Sequence, residues 1–290
     1  MNIIGKTRLW FAISGLFIVI SLAALGFNGL VHGKIMNFGI DFTGGTLLNL
    51  RFTQPITVAQ VRDVLHTHGL GGAVIQRSGE KDIFIRTEPM EGEVRQKLVA
   101  ELGEKYGGVE VLEADTIGPV IGKELRNQAI LALIIAAAGI LIYISFRFEF
   151  IYATAGVIAL LHDAIIATGF MALLWRNIDT AFIAGILTIM GYSINDTVVI
   201  YDRIRENLKK PGAHKMKFGE LVNRSVNETM ARSINTVLTV VVMVLALLIF
   251  GGETVRDLCL VLLAGIISGA YSSIFIASPI IVWWETRYKK

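Results

Sequence analysis

Six apolar stretches restrict the fold of this chain more than any other feature. They cover approximately residues 9–30, 129–146, 151–175, 180–201, 233–250 and 255–284. A helix needs about 20 apolar residues to cross a bilayer core that is roughly 30 Å thick, and each stretch is near or above that length. The 53% hydrophobic composition is also too high for an ordinary soluble domain. The sequence therefore predicts an α-helical polytopic membrane protein with six transmembrane helices.

Basic residues predict how these helices are oriented. Lys6 and Arg8 precede the first span, and Arg287, Lys289 and Lys290 close the chain. Eight more basic side chains lie between the fourth and fifth spans: Arg203, Arg205, Lys209, Lys210, Lys215, Lys217, Arg224 and Arg232. The positive-inside rule then places both termini and the loop 203–232 in the cytoplasm. Because this topology signal explains the basic loop, we expect no nucleic-acid partner.

Three segments follow from this topology. Residues 1–30 form the cytoplasmic N-terminus and helix 1, residues 31–128 form an extracytoplasmic (periplasmic) domain, and residues 129–290 hold helices 2–6 with the cytoplasmic C-terminus. In the outer domain, residue patterns predict strands at 46–52, 73–76, 82–87 and 109–114, and helices at 58–68 and 94–106. The order β-α-β-β-α-β is that of a small α+β ferredoxin-like sandwich. Its 11 basic and 13 acidic side chains nearly balance, which argues against an anion-binding role.

Sequence motifs for cofactors, metals and nucleotides are absent. The chain has no G-x-x-x-x-G-K-[ST] phosphate loop, no H-E-x-x-H zinc motif and no dinucleotide fingerprint. Cys259 is the single cysteine, so one chain can form neither a disulfide framework nor a cysteine-based metal site. We therefore expect no enzyme activity, no metal and no cofactor. If the protein performs work, a transmembrane ion gradient is the obvious energy source.

An acidic residue inside the fourth span is the strongest functional signal. Asp196 lies about 15 residues, or ~22 Å, from the outer end of that helix. Placing an acid there costs roughly 2.5–3.5 kcal/mol, so we expect a compensating role. Ser193, three residues earlier, and Arg203, seven residues later, share its helical face. Arg232 begins the fifth span at a comparable depth, so Asp196 and Arg232 could pair between antiparallel helices.

Two interpretations of this pair stay open. In the first, Asp196 and Arg232 form a proton relay, because movement of an arginine relative to a partly desolvated carboxylate changes how tightly the carboxylate holds a proton. In the second, Arg232 extends to the cytoplasmic interface and pairs with Glu228, four residues earlier. Ser193 and Thr236, at helical spacing from the two charges, would serve either the relay or helix packing.

A second polar pair interrupts the third span near its middle. His162 and Asp163 are titratable and could pass protons along the membrane helices. They could equally form an interhelical hydrogen-bonded contact that fixes packing. The sequence leaves both alternatives open.

Two glycine-containing motifs flank the outer domain. FGIDFTGG at 38–45 contains Asp41, Gly44 and Gly45, and its glycines permit a sharp turn into the first strand. GPVIGKEL at 118–125 contains Gly118 and Pro119 and predicts a hinge before the second span. We interpret both as structural motifs, since no helix predicted to cradle a phosphate follows the first.

Together these motifs resemble the SecF family, membrane subunits of the bacterial SecDF protein-export complex within the RND superfamily. The resemblance covers nearly the whole chain. It rests on FGIDFTGG at 38–45, GPVIGKELR at 118–126, RFE at 147–149 with His162 and Asp163, GYSINDTVVIYDRIREN at 191–207 and NETMARSINTVLT at 227–239. It implies that the chain is an RND-like half and that Asp196 and Arg232 belong to the proton route.

The resemblance also implies a function and partners. The implied role is an accessory subunit of the Sec translocase in the bacterial cytoplasmic (inner) membrane, where it couples the proton motive force to preprotein translocation and release. The implied partners are SecD as an obligate heteromer, the SecYEG translocon, YajC and unfolded preproteins. Two alternatives stay open: half of an RND-type proton-coupled small-molecule exporter, and a structural scaffold for SecD without its own proton path.

Overall fold

The computed structural model describes residues 1–288. In this part of the chain the α-helices are α1 (Thr7–His32), α2 (Ile40–Thr43), α3 (Val58–Thr67), α4 (Gly92–Tyr106), α5 (Pro119–Arg147), α6 (Phe150–Leu173), α7 (Thr180–Leu208), α8 (Phe218–Phe250), α9 (Glu253–Ser272) and α10 (Ser278–Tyr288). The strands are β1 (Asn37–Phe38), β2 (Gly45–Phe52), β3 (Val74–Ser78), β4 (Asp82–Thr87), β5 (Val109–Ile117) and β6 (Asn177–Ile178). The chain divides into two compact units, one formed by Phe38–Ile130 and one by the residues before and after it.

Six helical segments of the described chain are long and apolar enough to cross a membrane. They are Ile4–His32, Pro119–Arg147, Phe150–Leu173, Thr180–Leu208, Phe218–Phe250 and Glu253–Arg287. The predicted architecture of six transmembrane helices with a small α+β domain after the first is confirmed. The protein is a multi-pass membrane protein.

The Phe38–Ile130 unit contains a four-stranded antiparallel sheet with the strand order β3-β4-β2-β5. With α3 after β2 and α4 after β4, this is the split βαβ arrangement that the sequence predicts. The last strand is three residues longer than its alternating pattern indicates, because β5 pairs with β2 as far as Gly45 opposite Ile117. Backbone pairing with β2 therefore continues β5 beyond the residues whose alternating side chains predict a strand.

One apolar core holds this unit together. Leu48 and Leu50 of β2 and Ile83 and Ile85 of β4 alternate toward the helices and are fully buried. The helices contribute buried residues at helical spacing: Val61, Val64 and Leu65 from α3, and Leu98 and Leu102 from α4. Thr57 caps α3 in a reciprocal capping box with Gln60, as its position before the apolar pattern predicts.

Gly44 and Gly45 lie where no side chain would fit. Both have positive φ angles, 70° and 138°. A Cβ atom on Gly44 would lie 2.9 Å from Cα of Pro119, and a Cβ on Gly45 would collide with the main-chain oxygen of Thr87. Gly122 completes the contact, since a Cβ there would lie 2.8 Å from the Gly44 nitrogen. The two glycine motifs thus pack backbone against backbone.

Small residues also set the spacing of the membrane helices. Helix α6 packs against α1, α7 and α9, and α9 also packs against α7 and α8. Gly169 of α6 lies directly against Ser21 of α1, and Gly265 of α9 lies directly against Ile189 of α7. In lipid, close packing of small residues is a main source of helix association, because burial of apolar surface between helices gives little further gain.

We expect Gly265→Ala to lower the stability of the folded chain by about 1–3 kcal/mol, because the added methyl group would overlap the Ile189 side chain in a packed interface. Gly139→Ala is the matched control. A Cβ there meets no atom within 4 Å, and alanine is the better helix former by up to ~1 kcal/mol. Thermal unfolding of the purified chain in detergent measures both, and a Gly265→Ala variant at least as stable as Gly139→Ala would contradict this account of the α7–α9 contact.

The segment 203–232, predicted as a loop, is helical over most of its length. Helix α7 continues to Leu208 and α8 already begins at Phe218, so the connection between them covers residues 209–217. Both extensions keep one buried side, which includes Ile204, Leu221 and Val222. The charged residues lower the mean hydropathy of this segment, so it is not recognised as part of a membrane span. The buried apolar side of each helix nevertheless stabilises the helical structure.

The length of the last span and its Pro279 predict a helix that is tilted or broken near Ser278 and Pro279, and the helical geometry does change just before these residues. Helix α9 ends at Ser272, a π-helical turn covers Ser273–Ala277, and α10 follows. The Ser278 hydroxyl donates to the main-chain oxygen of Ser273 at 3.1 Å. Pro279 has no N–H to donate, which favours such a departure from the regular helix.

Helix α5 is the least enclosed of the six spans. Most of its large apolar side chains are exposed on the isolated chain, and Ile144 near its end is buried with Tyr152. In the sequence, the short connection Arg147-Phe148-Glu149 predicts that the second and third spans, here α5 and α6, are adjacent antiparallel helices. Among the described residues, however, α5 has extensive contacts with no other helix. A short connection joins two helix ends without requiring contact along their lengths.

Candidate functional site

Asp196 lies on α7 with its two carboxylate oxygens in different surroundings. The Ser233 hydroxyl on α8 donates to Oδ1 at 2.6 Å. Oδ2 is buried and has no hydrogen-bond partner within the part of the chain that the structure describes. A buried polar atom without a partner is costly, so a water molecule bound at Oδ2 would lower the free energy of this site.

A small cavity lies beside this carboxylate, between α7, α8 and α9. Its volume is about 10 Å³, enough for about one water molecule. Its lining residues are Tyr192, Ser193, Asn195, Asp196, Thr236, Val237, Ile266, Gly269 and Ala270. The cavity thus brings together three predicted site residues, Ser193, Asp196 and Thr236. The Thr236 hydroxyl itself donates to the main-chain oxygen of Arg232 at 2.9 Å.

Arg232 lies one residue before Ser233 and is exposed on the isolated chain. Its charge attracts the Asp196 carboxylate, but no hydrogen bond or ion pair joins the two among the described residues. Asp196 therefore interacts with the region of Arg232 through the neighbouring serine.

Glu228 does not pair with Arg232, the partner that the second interpretation assigned to it, but with other residues among those described. Arg203 and Arg224 pair with Glu228 at 2.6 and 2.8 Å, and Asn207 donates to it at 2.9 Å. The sequence places Arg203 on the same helical face as Asp196. In the structure, Arg203 instead belongs to this separate cluster around Glu228, which joins α7 to α8. The pairing of Arg232 with Glu228 is absent from the described residues.

His162 and Asp163 lie inside the bundle, and Asp163 is fully buried. Three serine hydroxyls donate to its carboxylate, each at 2.7 Å: Ser193 of α7, and Ser268 and Ser272 of α9. Nδ1 of His162 lies 3.1 Å from Oδ1 of the same carboxylate. These contacts join α6, α7 and α9 through one acidic group.

Sequence reasoning missed Ser233 and Ser268 as members of these two clusters. Ser233 is part of the MARS sequence that carries Arg232, and Ser268 lies four residues before Ser272 on α9. A search for hydroxyl groups at i and i+4 on the face of Gly265 and Gly269 would have found Ser268. Ser233 gives no such signal, because a single serine in a membrane helix is equally typical of packing.

The predicted structural residues lie in the Phe38–Ile130 unit. Asp41 is part of the short helix α2, Gly44 follows it, and Gly45 begins β2. Gly118 precedes α5, and Pro119 is its first residue, where a missing N–H costs least. This group shapes the backbone of its own unit.

The chemistry available in the membrane unit is that of proton exchange. Two carboxylates, an imidazole and several hydroxyls can bind and transfer protons. Within residues 1–288, no group of three or more His, Cys, Asp or Glu side chains is arranged to hold a metal ion.

Comparisons with known proteins identify the family of this chain. The family model "Protein export membrane protein SecD/SecF, C-terminal" matches residues 97–287, and "SecD/SecF GG Motif" matches residues 36–56, which include Gly44 and Gly45. The chain is 40% identical to the protein translocase subunit SecF of Desulfurispirillum indicum, over 96% of this chain and 89% of that protein. It is 37% identical to the protein translocase subunit SecDF of Thermus thermophilus, over 99% of this chain and 39% of the relative.

A solved structure extends the similarity to three dimensions. The crystal structure of SecDF from Thermus thermophilus, described as a translocon-associated membrane protein, matches with a TM-score of 0.89 and 36% identity. The match covers 99% of this chain and 39% of the SecDF chain. The chain therefore belongs to the SecD/SecF family of protein-export membrane proteins, and within it to the SecF translocase subunits.

Proposed function

We propose that the protein uses the proton motive force to promote preprotein translocation, with Asp196 as the residue that binds and releases protons. It acts as an accessory subunit of the Sec translocase and makes or breaks no covalent bond in its substrate. The transmembrane proton gradient supplies the energy, and no cofactor takes part.

The surroundings of the Asp196 carboxylate are the observation that supports this proposal. Its Oδ1 is held by Ser233, while Oδ2 is buried beside a cavity that can hold about one water molecule. An acid in a membrane helix costs roughly 2.5–3.5 kcal/mol, so such residues are rare and typically mark ion or proton pathways. An elementary charge crossing 100 mV releases about 2.3 kcal/mol, enough to shift a conformational equilibrium about fiftyfold.

Arg232 is the second member of the proposed relay. Its guanidinium attracts Asp196 without bonding to it. When Arg232 moves toward the carboxylate, the proton is released, and when it moves away, the proton is bound again. Relative motion of α7 and α8 is thereby coupled to proton occupancy.

The proposed partners follow from the relatives. SecDF of Thermus thermophilus holds in one chain a region similar to this protein and a remainder of more than half its length. We infer that SecD supplies the corresponding part here as an obligate partner. The exposed apolar side chains of α5 are available for such contact in the bilayer. SecYEG, YajC and unfolded preproteins complete the proposed assembly.

The proposed location is the bacterial inner membrane, with both termini in the cytoplasm and the Phe38–Ile130 unit outside. We expect Glu80→Cys, in the exposed β3–β4 turn, to react from the outside of intact cells with a membrane-impermeant maleimide. Cys259 is buried and gives little background. A Lys209→Cys variant, in the α7–α8 connection, is the opposite control and should react only after the membrane is disrupted. The reverse labelling pattern would invert the topology.

Export in vesicles tests the proposal as a whole. Inverted membrane vesicles that contain this chain, SecD and SecYEG are loaded with a preprotein arrested midway, and ATP is removed. We expect an imposed proton gradient to drive completion of translocation, and an uncoupler or removal of this chain to stop it. Completion that ignores the gradient while the chain is present would support the scaffold alternative instead.

A further inference from the structure

We propose that the His162–Asp163 pair is a second proton-binding station, joined to Asp196 through the hydroxyl of Ser193. This inference rests on the proposed function, because it extends the path of the protons that Asp196 binds. It assigns the polar pair of α6 to the relay and gives Ser193 the role of a proton-transferring link.

Ser193 has contacts on both sides of the proposed link. Its hydroxyl donates to Oδ2 of Asp163 at 2.7 Å. It also lines the cavity beside Asp196, whose Oδ2 has no other partner among the described residues. One water molecule in the cavity would thus connect Asp196 to Ser193, and Ser193 connects directly to Asp163.

Space for this link depends on the glycine of α9 that faces it. A Cβ atom on Gly269 would lie 3.0 Å from Cβ and 3.3 Å from Oγ of Ser193. Gly269 also lines the cavity. The missing side chain therefore leaves room both for the serine hydroxyl to rotate and for the water molecule beside it.

The pair has the groups needed to accept a proton. Nε2 of His162 is buried without a hydrogen-bond partner in the described chain. The Ser272 hydroxyl lies 2.7 Å from Asp163 but also 3.2 Å from the main-chain oxygen of Gly269. If Asp163 becomes protonated, the Ser272 hydroxyl can rotate and donate to the main-chain oxygen of Gly269 instead. Two hydrogen-bond donors then do not point at each other.

Few other titratable groups face the pair. On α9, Tyr271 stacks on the His162 ring, with 6.2 Å between ring centroids. The Tyr271 hydroxyl donates to the main-chain oxygen of Trp10 on α1 at 2.7 Å. On α7, Asp196 faces the pair through Ser193. Neither of these two neighbours carries a positive charge.

The transfer itself is balanced in atoms and charge. Asp196 loses its proton from Oδ2 to the cavity water, the water passes a proton to Ser193, and Ser193 passes its own hydroxyl proton to Oδ2 of Asp163. One O–H bond is broken at Asp196 and one is formed at Asp163. The net result is that one proton moves from Asp196 to Asp163, whose other carboxylate oxygen lies 3.1 Å from Nδ1 of His162.

Two serine variants test the link. Ser193→Ala and Ser268→Ala each remove one hydroxyl donor, at 2.7 Å, from the same buried carboxylate. Only Ser193 lines the Asp196 cavity. We expect Ser193→Ala to lower gradient-driven proton flux about tenfold or more, and Ser268→Ala to keep it within about twofold, in proteoliposomes that hold this chain with SecD. Equal losses in the two variants, or normal flux in Ser193→Ala, would overturn the proposal.

An infrared measurement gives a second, independent answer if Ser193→Ala fails to fold. In spectra of the acidified wild-type complex minus each variant, the protonated-carboxyl region should show one band that is lost in Asp196→Asn and a different band that is lost in Asp163→Asn. Absence of the second band contradicts the station. The two proposals fail differently: flux that survives Asp196→Asn removes the proposed function, whereas flux that survives only Ser193→Ala removes the link alone.

Discussion

Asp196→Asn is expected to reduce gradient-driven proton flux at least ~100-fold and to abolish the gradient-dependent part of preprotein export. The amide keeps the size of the side chain and can still accept the Ser233 hydrogen bond at Oδ1. It cannot bind and release a proton near neutral pH. We would measure flux in proteoliposomes with a pH-sensitive dye and export in vesicles, and the complex with SecD should still assemble.

Asp202→Asn is the matched control for this substitution. Asp202 lies on the same helix, six residues later, where it forms an exposed ion pair with Arg147 at 3.3 Å. Exposed pairs contribute about 0–1 kcal/mol, so this variant should keep both flux and export. Asp196→Glu, which retains a titratable group, should keep part of the flux. Undiminished export in Asp196→Asn with the gradient still required would falsify the role assigned to this carboxylate.

Gly45→Ala is expected to destabilise the Phe38–Ile130 unit by about 2–4 kcal/mol. The residue has a φ angle of 138°, and its Cβ would overlap the main-chain oxygen of Thr87. A main-chain atom in a paired strand cannot move aside as a flexible side chain can. Hydrogen exchange of the β2 and β4 amides in the full chain would reveal the loss as faster exchange.

Gly79→Ala separates the two causes of that loss. Gly79 also has a positive φ angle, 78°, but a Cβ there meets no atom within 4 Å. Strain alone should cost about 1–2 kcal/mol in the β3–β4 turn. If the β2 and β4 amides exchange no faster in Gly45→Ala than in Gly79→Ala, the close approach of Gly45 to Thr87 does not contribute to the loss of stability.

The spans and the outer sheet could be predicted from the sequence because each depends on a local pattern. Apolar runs of the right length identify membrane helices, and alternation at Leu48 and Leu50 identifies a buried strand face. The extents of α7 and α8 could not be predicted, since Ile204 and Leu221 are buried by tertiary contacts amid charged residues. The limited contact between α5 and α6 is likewise a matter of packing, which a short connection does not determine.

The candidate site could be predicted at Asp196 because an acid in an apolar run is conspicuous. Its partner could not, since Ser233 on another helix becomes a donor only when α7 and α8 pack together. The same holds for Asp163, whose three serine donors come from α7 and α9. Hydrogen-bond partners in a helix bundle are set by long-range packing, which residue spacing within one helix does not encode.

The π-helical turn at Ser273–Ala277 shifts the phase of the last span. One residue added to a turn rotates everything beyond it by about 100° about the helix axis. Before the turn, Ser272 points to the acid of α6, and beyond it Ile281 joins an apolar cluster with Ile3 and Leu221. A single helical wheel drawn through the whole segment would therefore assign one half of its residues to the wrong side. The last span can thus contact the buried acid of α6 with its first half and the apolar cluster around Ile281 with its second half.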